Sequence, residues 1–444
     1  MATAVSSVAD TCRAAKRASR SLACIDTARK NAALEAIAAA LEARLPEILD
    51  ANERDMQLAR EAGIGDALLD RLRLDEARVG AMARAVRQIV ALADPVGELI
   101  DGRRLPNGLD MRKVRVPLGV VAVVYEARPN VTIDAAALCL KSGNAIVLRG
   151  SSSATHSNAA LAQIAAEAAV VAGLPDACVS LVAGGGREEL TELATQKDSV
   201  DLIIPRGGEG LKDALQAVAT VPVIYAASGN CHVYVDASAD LDAAERIVLN
   251  AKTQRPGVCN AAETLLVHRD VAPAFVPRLL RALGQAGVLV RGDDATLALA
   301  GACNGDPAAR ARVRAAGSTG EESHLASLEP ATEEDWATEY LALTLAVRVV
   351  DSAQDAIEHI GRYGSGHSEA ILTRDTAAAR AFQLGVDAAC VYLNASTRFT
   401  DGGEFGMGAE IGNSTQKLHA RGPIGLRELC TFKYLVEGDG HVRA

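Results

Sequence analysis

The stretch Val120-Val-Ala-Val-Val-Tyr125 is an unbroken apolar run in which four of the six residues are valine. A short run of this kind, rich in β-branched residues, predicts a strand buried on both faces, as in a parallel sheet. Helical apolar spacing follows over residues 131–140, and a second apolar run occupies residues 145–148. A strand, a helix and a strand in this order predict a βαβ unit.

The same alternation continues downstream and predicts two α/β domains after a helical region over residues 5–93. In the first domain, a doubly wound sheet, we expect strands over 179–182, 201–204 and 221–225, and helices over 159–172, 188–195 and 211–219. The pattern restarts near residue 236. In the second domain we expect strands over 232–235, 263–267, 343–350, 371–372 and 390–393, and helices over 241–251, 271–283, 352–361 and 376–384.

An irregular crossing over residues 94–108, punctuated by Pro and Gly, precedes the first sheet. Residues 109–116 then alternate apolar with polar side chains, as a half-exposed edge strand does. A last strand candidate covers residues 430–436. We expect these two strands to form a small oligomerisation element that makes the protein at least a dimer.

Composition narrows the class of protein. The 444 residues carry 46 Lys plus Arg against 56 Asp plus Glu, a net charge of −10, without a basic run, so we expect no nucleic-acid partner. Nine cysteines without a CxxC pair favour neither a disulfide framework nor a metal site, and they suit a reducing compartment. No apolar run reaches roughly 18 residues, and no targeting segment is recognised, so we expect a cytoplasmic protein without a membrane partner.

The turn over residues 254–261, Gln-Arg-Pro-Gly-Val-Cys-Asn-Ala, follows the predicted helix 241–251. Its Pro-Gly pair ends that helix and leaves Cys259 on a turn with its backbone amide available. A cysteine placed in this way is a candidate nucleophile, and it lies early in the second domain, close to the expected crevice between the two domains. The alternative is a buried structural cysteine.

Two turns at strand ends are suited to anions. Arg149-Gly-Ser-Ser-Ser153 leaves a strand and opens a helix, and Arg206-Gly207-Gly208 repeats the arrangement on a later strand. Neither matches GxGxxG, and the alternatives are a serine helix cap and an ordinary glycine-rich turn. Because both stand at neighbouring strand ends, they favour nucleotide binding.

Four longer motifs carry a resemblance. Tyr125-Glu-Ala-Arg-Pro-Asn-Val-Thr132, Pro256-Gly-Val-Cys-Asn-Ala-Ala-Glu263, Tyr363-Gly-Ser-Gly-His-Ser-Glu-Ala-Ile371 and the run from Arg398 to Ile411 resemble the γ-glutamyl phosphate reductases of the aldehyde dehydrogenase superfamily. The resemblance implies an α/β, aldehyde-dehydrogenase-like fold with a Rossmann-like cofactor domain. Its domains would be a cofactor domain over 1–105 and 118–236, a catalytic domain over 237–415, and an oligomerisation element from 106–117 and 416–444.

The resemblance also implies an activity. It is the NADPH-dependent reduction of L-glutamate 5-phosphate to L-glutamate 5-semialdehyde and phosphate, in proline biosynthesis, through a thioester on Cys259. The implied partners are the small-molecule substrate, further copies of the chain in a homodimer or homotetramer, and glutamate 5-kinase through functional coupling. No metal is implied.

Site residues follow from matching positions. Arg149 falls where the superfamily carries a lysine to the adenosine ribose, and Glu339 falls at the glutamate that contacts the nicotinamide ribose. The other implied cofactor residues are Ser151, Ser152, Ser153, Gly207 and Gly208. The implied substrate residues are Arg128, Asn130, Asn394, Ser396 and Arg398.

Several roles stay open. Ala127 replaces the superfamily's oxyanion asparagine, which leaves Asn130 as a candidate second donor. Arg398 or Arg128 could take the substrate α-carboxylate, and Asp401 or Glu404 the α-amine, although the loop around Arg398 also fits an ordinary surface loop. His359 and His367 lie in the motifs but fit core hydrogen-bonding histidines equally well.

Residues 223–230 contain no carboxylate, whereas hydrolytic members carry a general base there. Without it, water is not activated, and the thioester is left for hydride. The rivals are an NAD-dependent aldehyde oxidiser of other specificity and, from a different class, a thiol hydrolase or a redox-sensing binding protein that uses Cys259.

Overall fold

The structure is a computed structural model that describes residues 7–182, 184, 186–225, 229–303 and 326–443. The chain divides into two compact units. Unit 1 comprises the described residues of Met1–Tyr225, Gly402–Gly412 and Leu418–Ala444. Unit 2 comprises those of Ala226–Asp401 and Asn413–Lys417. The domain boundaries that the sequence suggests, including the one near residue 236, stay predictions.

The helices of the described residues, α1 to α14, are Val8–Leu22, Thr27–Ala43, Leu45–Glu61, Asp66–Leu72, Glu76–Ala91, Asn130–Lys141, Thr155–Val171, Arg187–Ala194, Glu209–Val218, Leu241–Thr253, Ala272–Gln285, Asp294–Cys303, Ala353–Tyr363 and Thr376–Gly385. The strands, β1 to β16, are Leu99–Arg104, Asp110–Pro117, Val120–Tyr125, Ala145–Arg149, Val179–Leu181, Leu202–Arg206, Cys231–Val235, Ala262–His268, Leu289–Gly292, Leu328–Pro330, Thr344–Val350, Ser368–Leu372, Cys390–Leu393, Asn413–Ser414, Gly422–Pro423 and Cys430–Glu437. Single 3-10 turns occupy Ser152–Ala154, Glu334–Ala337 and Thr397–Phe399.

Unit 1 is built on a parallel sheet with the strand order β5-β4-β3-β6. The run that predicts a buried strand is β3, which is buried along its whole length and lies between β4 and β6. The expected strand over 221–225 is wrong, because only Val223 forms a bridge, to Ile203. Pro222 and Pro205 on the two segments lack the N–H groups that a longer ladder needs.

A second sheet in unit 1 is antiparallel, with the order β1-β2-β16. β16 runs along β2 from the Cys430–Pro117 pair to the Glu437–Asp110 pair. The expected irregular crossing over 94–108 is partly wrong, because it contains β1. All six residues of β1 are exposed, so its sequence shows no alternation between an apolar and a polar face.

Unit 2 is built on a seven-stranded sheet with the order β10-β9-β11-β8-β7-β12-β13, in which neighbouring strands are parallel. Alternate residues of β7 face opposite layers. Val233 and Val235 pack in the cluster that contains α10 and α11 residues. Tyr234 packs in the cluster that contains α13 and α14 residues. The helices therefore cover both faces of this sheet.

None of the helices in the described ranges combines the length and apolar character needed to span a bilayer.

Candidate active site

Cys259 lies in unit 2 on the turn between α10 and β8, as the sequence predicts. It is half-buried, whereas Cys231, on the neighbouring strand β7, is fully buried. The turn is closed by a hydrogen bond from the Ala261 amide to the Val258 carbonyl, 3.0 Å long. This position leaves the thiol partly open to a reactant.

Gly229 fits tightly against the backbone of Cys259. A Cβ built on Gly229 would lie 1.7 Å from the Cys259 carbonyl oxygen and 2.5 Å from its Cα, closer than real Cβ atoms approach other atoms. The Gly229 amide donates a hydrogen bond to Oε1 of Glu339, 2.7 Å away. Glu339, the residue predicted at the nicotinamide ribose, therefore binds the same glycine that packs against the Cys259 backbone.

Asn260 anchors the other side of the turn. Its Nδ2 donates to the carbonyl oxygens of Thr400 at 2.9 Å and Arg398 at 3.3 Å. The Thr397 hydroxyl donates to the Asn260 carbonyl at 2.7 Å. Thus the segment 397–400 fixes the backbone directly after Cys259.

A chain of polar groups reaches the Cys259 carbonyl from inside unit 2. The Cys231 thiol donates to that oxygen at 3.2 Å, and its Sγ lies 3.9 Å from Nδ1 of His367. His367 Nδ1 is 2.8 Å from the Ser368 hydroxyl, which is 2.6 Å from the Thr400 hydroxyl. The chain ends at Tyr392, whose hydroxyl is 2.7 Å from Thr400 Oγ1. Sequence reasoning missed Cys231, because nothing in a run of strand residues signals this contact.

The two histidines in the motifs are buried. Burial lowers the pKa of His367 to about 4, and burial followed by the neighbouring His232 and Arg348 lowers that of His359 to about 3. His359 Nδ1 lies 3.0 Å from Nη1 of Arg348 and its ring packs edge-on against Trp336. Both imidazoles are neutral near pH 7, which favours the role of core hydrogen-bonding histidines.

A buried ion pair joins the two ends of the Cys259 turn. Lys252 on α10 donates to Oε2 of Glu263 on β8 at 2.5 Å, and both side chains are fully buried. The Leu341 amide donates to the other carboxylate oxygen at 3.4 Å. Burial lowers the pKa of Lys252 and raises that of Glu263 to about 7, although each charge opposes the shift of the other. Sequence reasoning missed this pair, although the short connection between α10 and β8 brings the two side chains together.

Arg398 brings positive charge to the nucleophile. Its Nε donates to Oε1 of Gln254 at 2.8 Å. Burial and the charge of Arg255 lower the pKa of the Arg398 guanidinium, while Cys259 raises it, so cation and thiol interact electrostatically. Cations beside a cysteine stabilise the thiolate. Its predicted contact with the substrate carboxylate stays a prediction.

The other two predicted substrate residues of unit 2 bind backbone. Asn394, at φ 55°, accepts from the Thr373 amide and donates to the Thr373 carbonyl, both at 2.9 Å. The Ser396 hydroxyl accepts from the Arg398 amide at 3.3 Å and so caps a 3-10 turn. These contacts position the loop, and a substrate contact of either side chain stays a prediction.

The predicted phosphate turn after β4 contains groups that fit an anion. Arg149 donates from Nη2 to the Gly186 carbonyl at 2.7 Å, and its buried Nε has no partner among the described residues. The hydroxyls of Ser151 and Ser153 lie 2.7 Å apart, and the Ala127 amide donates to Ser151 Oγ at 3.2 Å. A guanidinium N–H without an acceptor and the hydroxyls that follow it in the chain are groups that suit a phosphate of a nucleotide.

The second glycine-rich turn holds a carboxylate of the chain itself. The Gly208 amide donates to Oε2 of Glu126 at 3.0 Å. A Cβ on Gly207 would lie 2.5 Å from the same oxygen, so the glycine makes room for this carboxylate. A cofactor contact of Gly207 and Gly208 stays a prediction. Sequence reasoning missed the Glu126 carboxylate that binds this turn.

Arg128 and Asn130 line a pocket within unit 1, together with Asp134, Arg206 and Glu410. Asn130 Nδ2 donates to Oδ2 of Asp134 at 2.9 Å. Its expected role as an oxyanion donor stays a prediction. Sequence reasoning missed Asp134, for which the only signal is its i, i+4 spacing from Asn130 on α6.

Within the described ranges, no three His, Cys, Asp or Glu side chains are grouped so that they could hold a metal ion.

Comparisons with known proteins identify the family of the chain. The model of the aldehyde dehydrogenase family matches residues 2–299. The chain is 54% identical over 429 residues to the gamma-glutamyl phosphate reductases of Thermobifida fusca and of Moorella thermoacetica, with 97% of each chain covered in both cases. The crystal structure of the gamma-glutamyl phosphate reductase of Thermotoga maritima superposes with a TM-score of 0.92 at 44% identity, covering 99% of this chain and 100% of that chain. The expected fold class is confirmed, and the chain belongs to the aldehyde dehydrogenase family and, within it, to the γ-glutamyl phosphate reductases.

Proposed function

We infer that this protein reduces L-glutamate 5-phosphate to L-glutamate 5-semialdehyde and phosphate with NADPH, a step of proline biosynthesis. The observation that carries the inference is Cys259, half-buried on a turn fixed from both sides, in a chain that is 54% identical to γ-glutamyl phosphate reductases. The chemistry that these residues support is acyl transfer to a thiol followed by reduction.

In the first step the Cys259 thiolate attacks the acyl carbon of the substrate, and the C–O bond to phosphate breaks. The nearby Arg398 stabilises the thiolate, and the turn presents the Cys259 amide to the developing oxyanion. NADPH, when bound, supplies the hydride that reduces the resulting thioester. The oxyanion on the reduced carbon then re-forms the carbonyl group, which breaks the C–S bond, releases the aldehyde and returns Cys259 as a thiolate.

Water should not compete for the thioester. Residues 223–230 carry no carboxylate, and of these residues Asn230 is held by hydrogen bonds from its Nδ2 to the Trp336 and Tyr363 carbonyls at 2.8 and 2.9 Å. Residues 226–228 lie outside the described residues. An amide fixed in this way is no general base, which supports the reductive fate over hydrolysis.

We propose that Arg149 and the Ser151, Ser152 and Ser153 hydroxyls hold the 2′-phosphate, with Gly207 and Gly208 contributing to the cofactor site. The orphaned Nε of Arg149 and the paired Ser151 and Ser153 hydroxyls support this assignment. Glu339 would hold the nicotinamide ribose, and its bond to the Gly229 amide supports a place close to Cys259.

A homodimer or homotetramer is supported by the β1-β2-β16 sheet, in which β1 and β16 are edge strands. Phe432, Tyr434 and Val436 on β16 are between 46% and 53% exposed, a row of apolar side chains that a second copy could cover. Because acyl phosphates hydrolyse readily, we also propose functional coupling to glutamate 5-kinase. We place the enzyme in the cytoplasm, where nine cysteines stay reduced.

The test runs the reaction in reverse and follows absorbance at 340 nm. L-glutamate 5-semialdehyde and NADP should give NADPH only when phosphate is added, and Cys259→Ser should abolish turnover while NADPH binding persists. NADPH formation without phosphate would instead indicate a hydrolytic aldehyde oxidiser. Folded protein that forms no reduced cofactor with any combination would contradict the reductase assignment.

A further inference from the structure

Unit 1 contains a small pocket lined by both positively and negatively charged side chains. It lies where the first turns of α6 meet the end of β6 and the segment 402–412. The polar residues that line it are Arg128, Asn130, Asp134, Arg206 and Glu410. Two guanidinium groups and two carboxylates therefore face one space.

Arg206 is one of the two cations in this lining. Within the described ranges its guanidinium makes no side-chain hydrogen bond and no ion pair, and its Nε is buried without an acceptor. Gly412 makes room for it, since a Cβ there would lie 2.9 Å from Arg206 Nη1. Because a buried guanidinium N–H without an acceptor costs free energy, the site favours an added anion.

Asp134 is one of the two carboxylates in this lining. Among the described residues its one hydrogen-bond donor is Asn130 Nδ2, at 2.9 Å, and Asp134 and Arg206 do not form an ion pair with each other. Burial raises the pKa of this half-buried carboxyl to about 6, while Asn130 and Arg206 lower it. A cationic ligand would favour the ionised form.

Neither a simple anion nor a simple cation fits this lining. A free phosphate would meet the carboxylates of Asp134 and Glu410, and a bare amine would meet both guanidinium groups. A ligand with an ammonium and a carboxylate on adjacent atoms matches both open partners at once.

We infer that this pocket binds the α-amino-acid head of the substrate, with the α-ammonium on Asp134 and the α-carboxylate on Arg206. The inference rests on the proposed function for the identity of the substrate. Asn130 is then a positioning residue, since its amide holds the Asp134 carboxylate at the pocket wall. Asp134 and Arg206 would set the specificity for an amino acid over a plain acyl phosphate.

The first experiment measures binding and does not depend on turnover. Calorimetry with wild-type protein should find that L-glutamate binds about 10- to 100-fold more tightly than glutarate, which lacks only the amine. Asp134→Asn should remove this difference, and the matched variant Asp213→Asn, an exposed aspartate on α9, should keep it. Equal affinity of the wild-type protein for both ligands would overturn the inference.

The second experiment uses turnover with NADP and phosphate. Asp134→Asn should lower kcat/KM for L-glutamate 5-semialdehyde by about 10- to 100-fold and barely affect 5-oxopentanoate, which offers no amine. Arg206→Gln should show the complementary pattern, sparing 4-aminobutanal, which offers no carboxylate. Equal losses with both aldehydes of a pair would contradict the assignment. If wild-type protein turned over none of these aldehydes but still bound L-glutamate in preference to glutarate, the reductase assignment would fail while the pocket assignment stood.

Discussion

The thiol of Cys231 donates a hydrogen bond to the carbonyl oxygen of Cys259, with 3.2 Å between sulfur and oxygen. Cys231 is fully buried on β7, and burial keeps the pKa of its thiol well above the ordinary value. It therefore stays protonated and acts as a donor, while the half-buried Cys259 is the sulfur that can react. Two cysteines that differ so strongly in environment have different chemical roles.

Removing the Cys231 thiol should impair positioning of Cys259. For Cys231→Ala we expect a loss of about 2- to 10-fold in kcat with little change in KM, because one hydrogen bond to the Cys259 backbone is lost. Cys231→Ser keeps a donor and should recover most of the rate. Cys12→Ala, a buried cysteine of unit 1, is the matched control. Steady-state kinetics of the three variants decide the matter, and an equal rate for Cys231→Ala and wild type would exclude a positioning role.

Gly229→Ala should lower the activity far more than Cys231→Ala does. The added Cβ would fall 1.7 Å from the Cys259 carbonyl oxygen, so the backbone that carries the nucleophile must move. We expect a loss of about 100-fold or more in kcat/KM, together with slower alkylation of Cys259 by iodoacetamide. Gly361→Ala is the control, since a Cβ there meets nothing within 4 Å. Comparable rates for the two variants would argue against tight packing at Gly229.

Breaking the Lys252–Glu263 pair should destabilise the protein. Lys252→Met leaves the Glu263 carboxylate buried without its cation, which costs about 3 to 5 kcal/mol of unfolding free energy. The double variant Lys252→Met with Glu263→Leu removes both charges and should regain most of that loss. Urea unfolding followed by circular dichroism tests this. A double variant as unstable as the single one would show that packing, and not charge, sets the stability here.

The buried histidines should add a pH-dependent part to the unfolding free energy. The pKa values of His359 and His367 are lowered to about 3 and about 4, so between pH 6.5 and 4 the unfolded chain takes up protons that the folded chain does not. The contribution of each histidine to stability therefore falls as the pH falls through this window, by about 1.4 kcal/mol per pH unit, while the raised pKa values of Glu263 and Asp134 act in the opposite direction. His359→Gln keeps an acceptor for Arg348 and removes one of these contributions, so the slope of unfolding free energy against pH, measured by urea unfolding, should become less positive than in the wild type. His441→Gln, at an exposed position, should leave the slope as in the wild type.

Arg149 should set the preference for NADPH. For Arg149→Met we expect the ratio of kcat/KM for NADPH to that for NADH to fall by about 10- to 100-fold, because the proposed charged donor to the 2′-phosphate is lost. Arg187→Met, an exposed arginine on α8, serves as the control. An unchanged ratio would mean that the guanidinium only braces the Gly186 carbonyl to which it is bonded.

Elements with buried faces could be predicted from the sequence. The run 120–125 is a strand with the expected bounds, because continuous apolar residues identify a strand that is covered. The run 390–393 is also a strand with the expected bounds, although only Cys390 in it is buried and Leu393 is exposed. β1 could not be predicted, since its exposed side chains follow no burial pattern. The false strand at 221–225 shows the converse, because Pro222 has no N–H with which the apolar run could extend its single bridge into a ladder.

The position of Cys259 on a turn could be predicted from the Pro-Gly pair before it. Its neighbours could not, because Cys231 and His367 reach it only through the register of β7, β8 and β12. The same limit applies to Asp134, which reads as an ordinary polar residue of an amphipathic helix. Only the structure places Asp134 and Arg206 in the lining of one pocket, which is the observation behind the proposed ligand contact.

The pairing of β16 with β2 has a consequence for synthesis. Cys430 pairs with Pro117, so the sheet that completes unit 1 joins residues more than three hundred positions apart. At a synthesis rate of roughly 5 to 20 residues per second, β16 is made about 15 to 60 s after β2, and the whole of unit 2 is synthesised in between. During that interval the edge of β2 is open to other strands. The nascent chain is thus most prone to misassembly in the domain that is translated first.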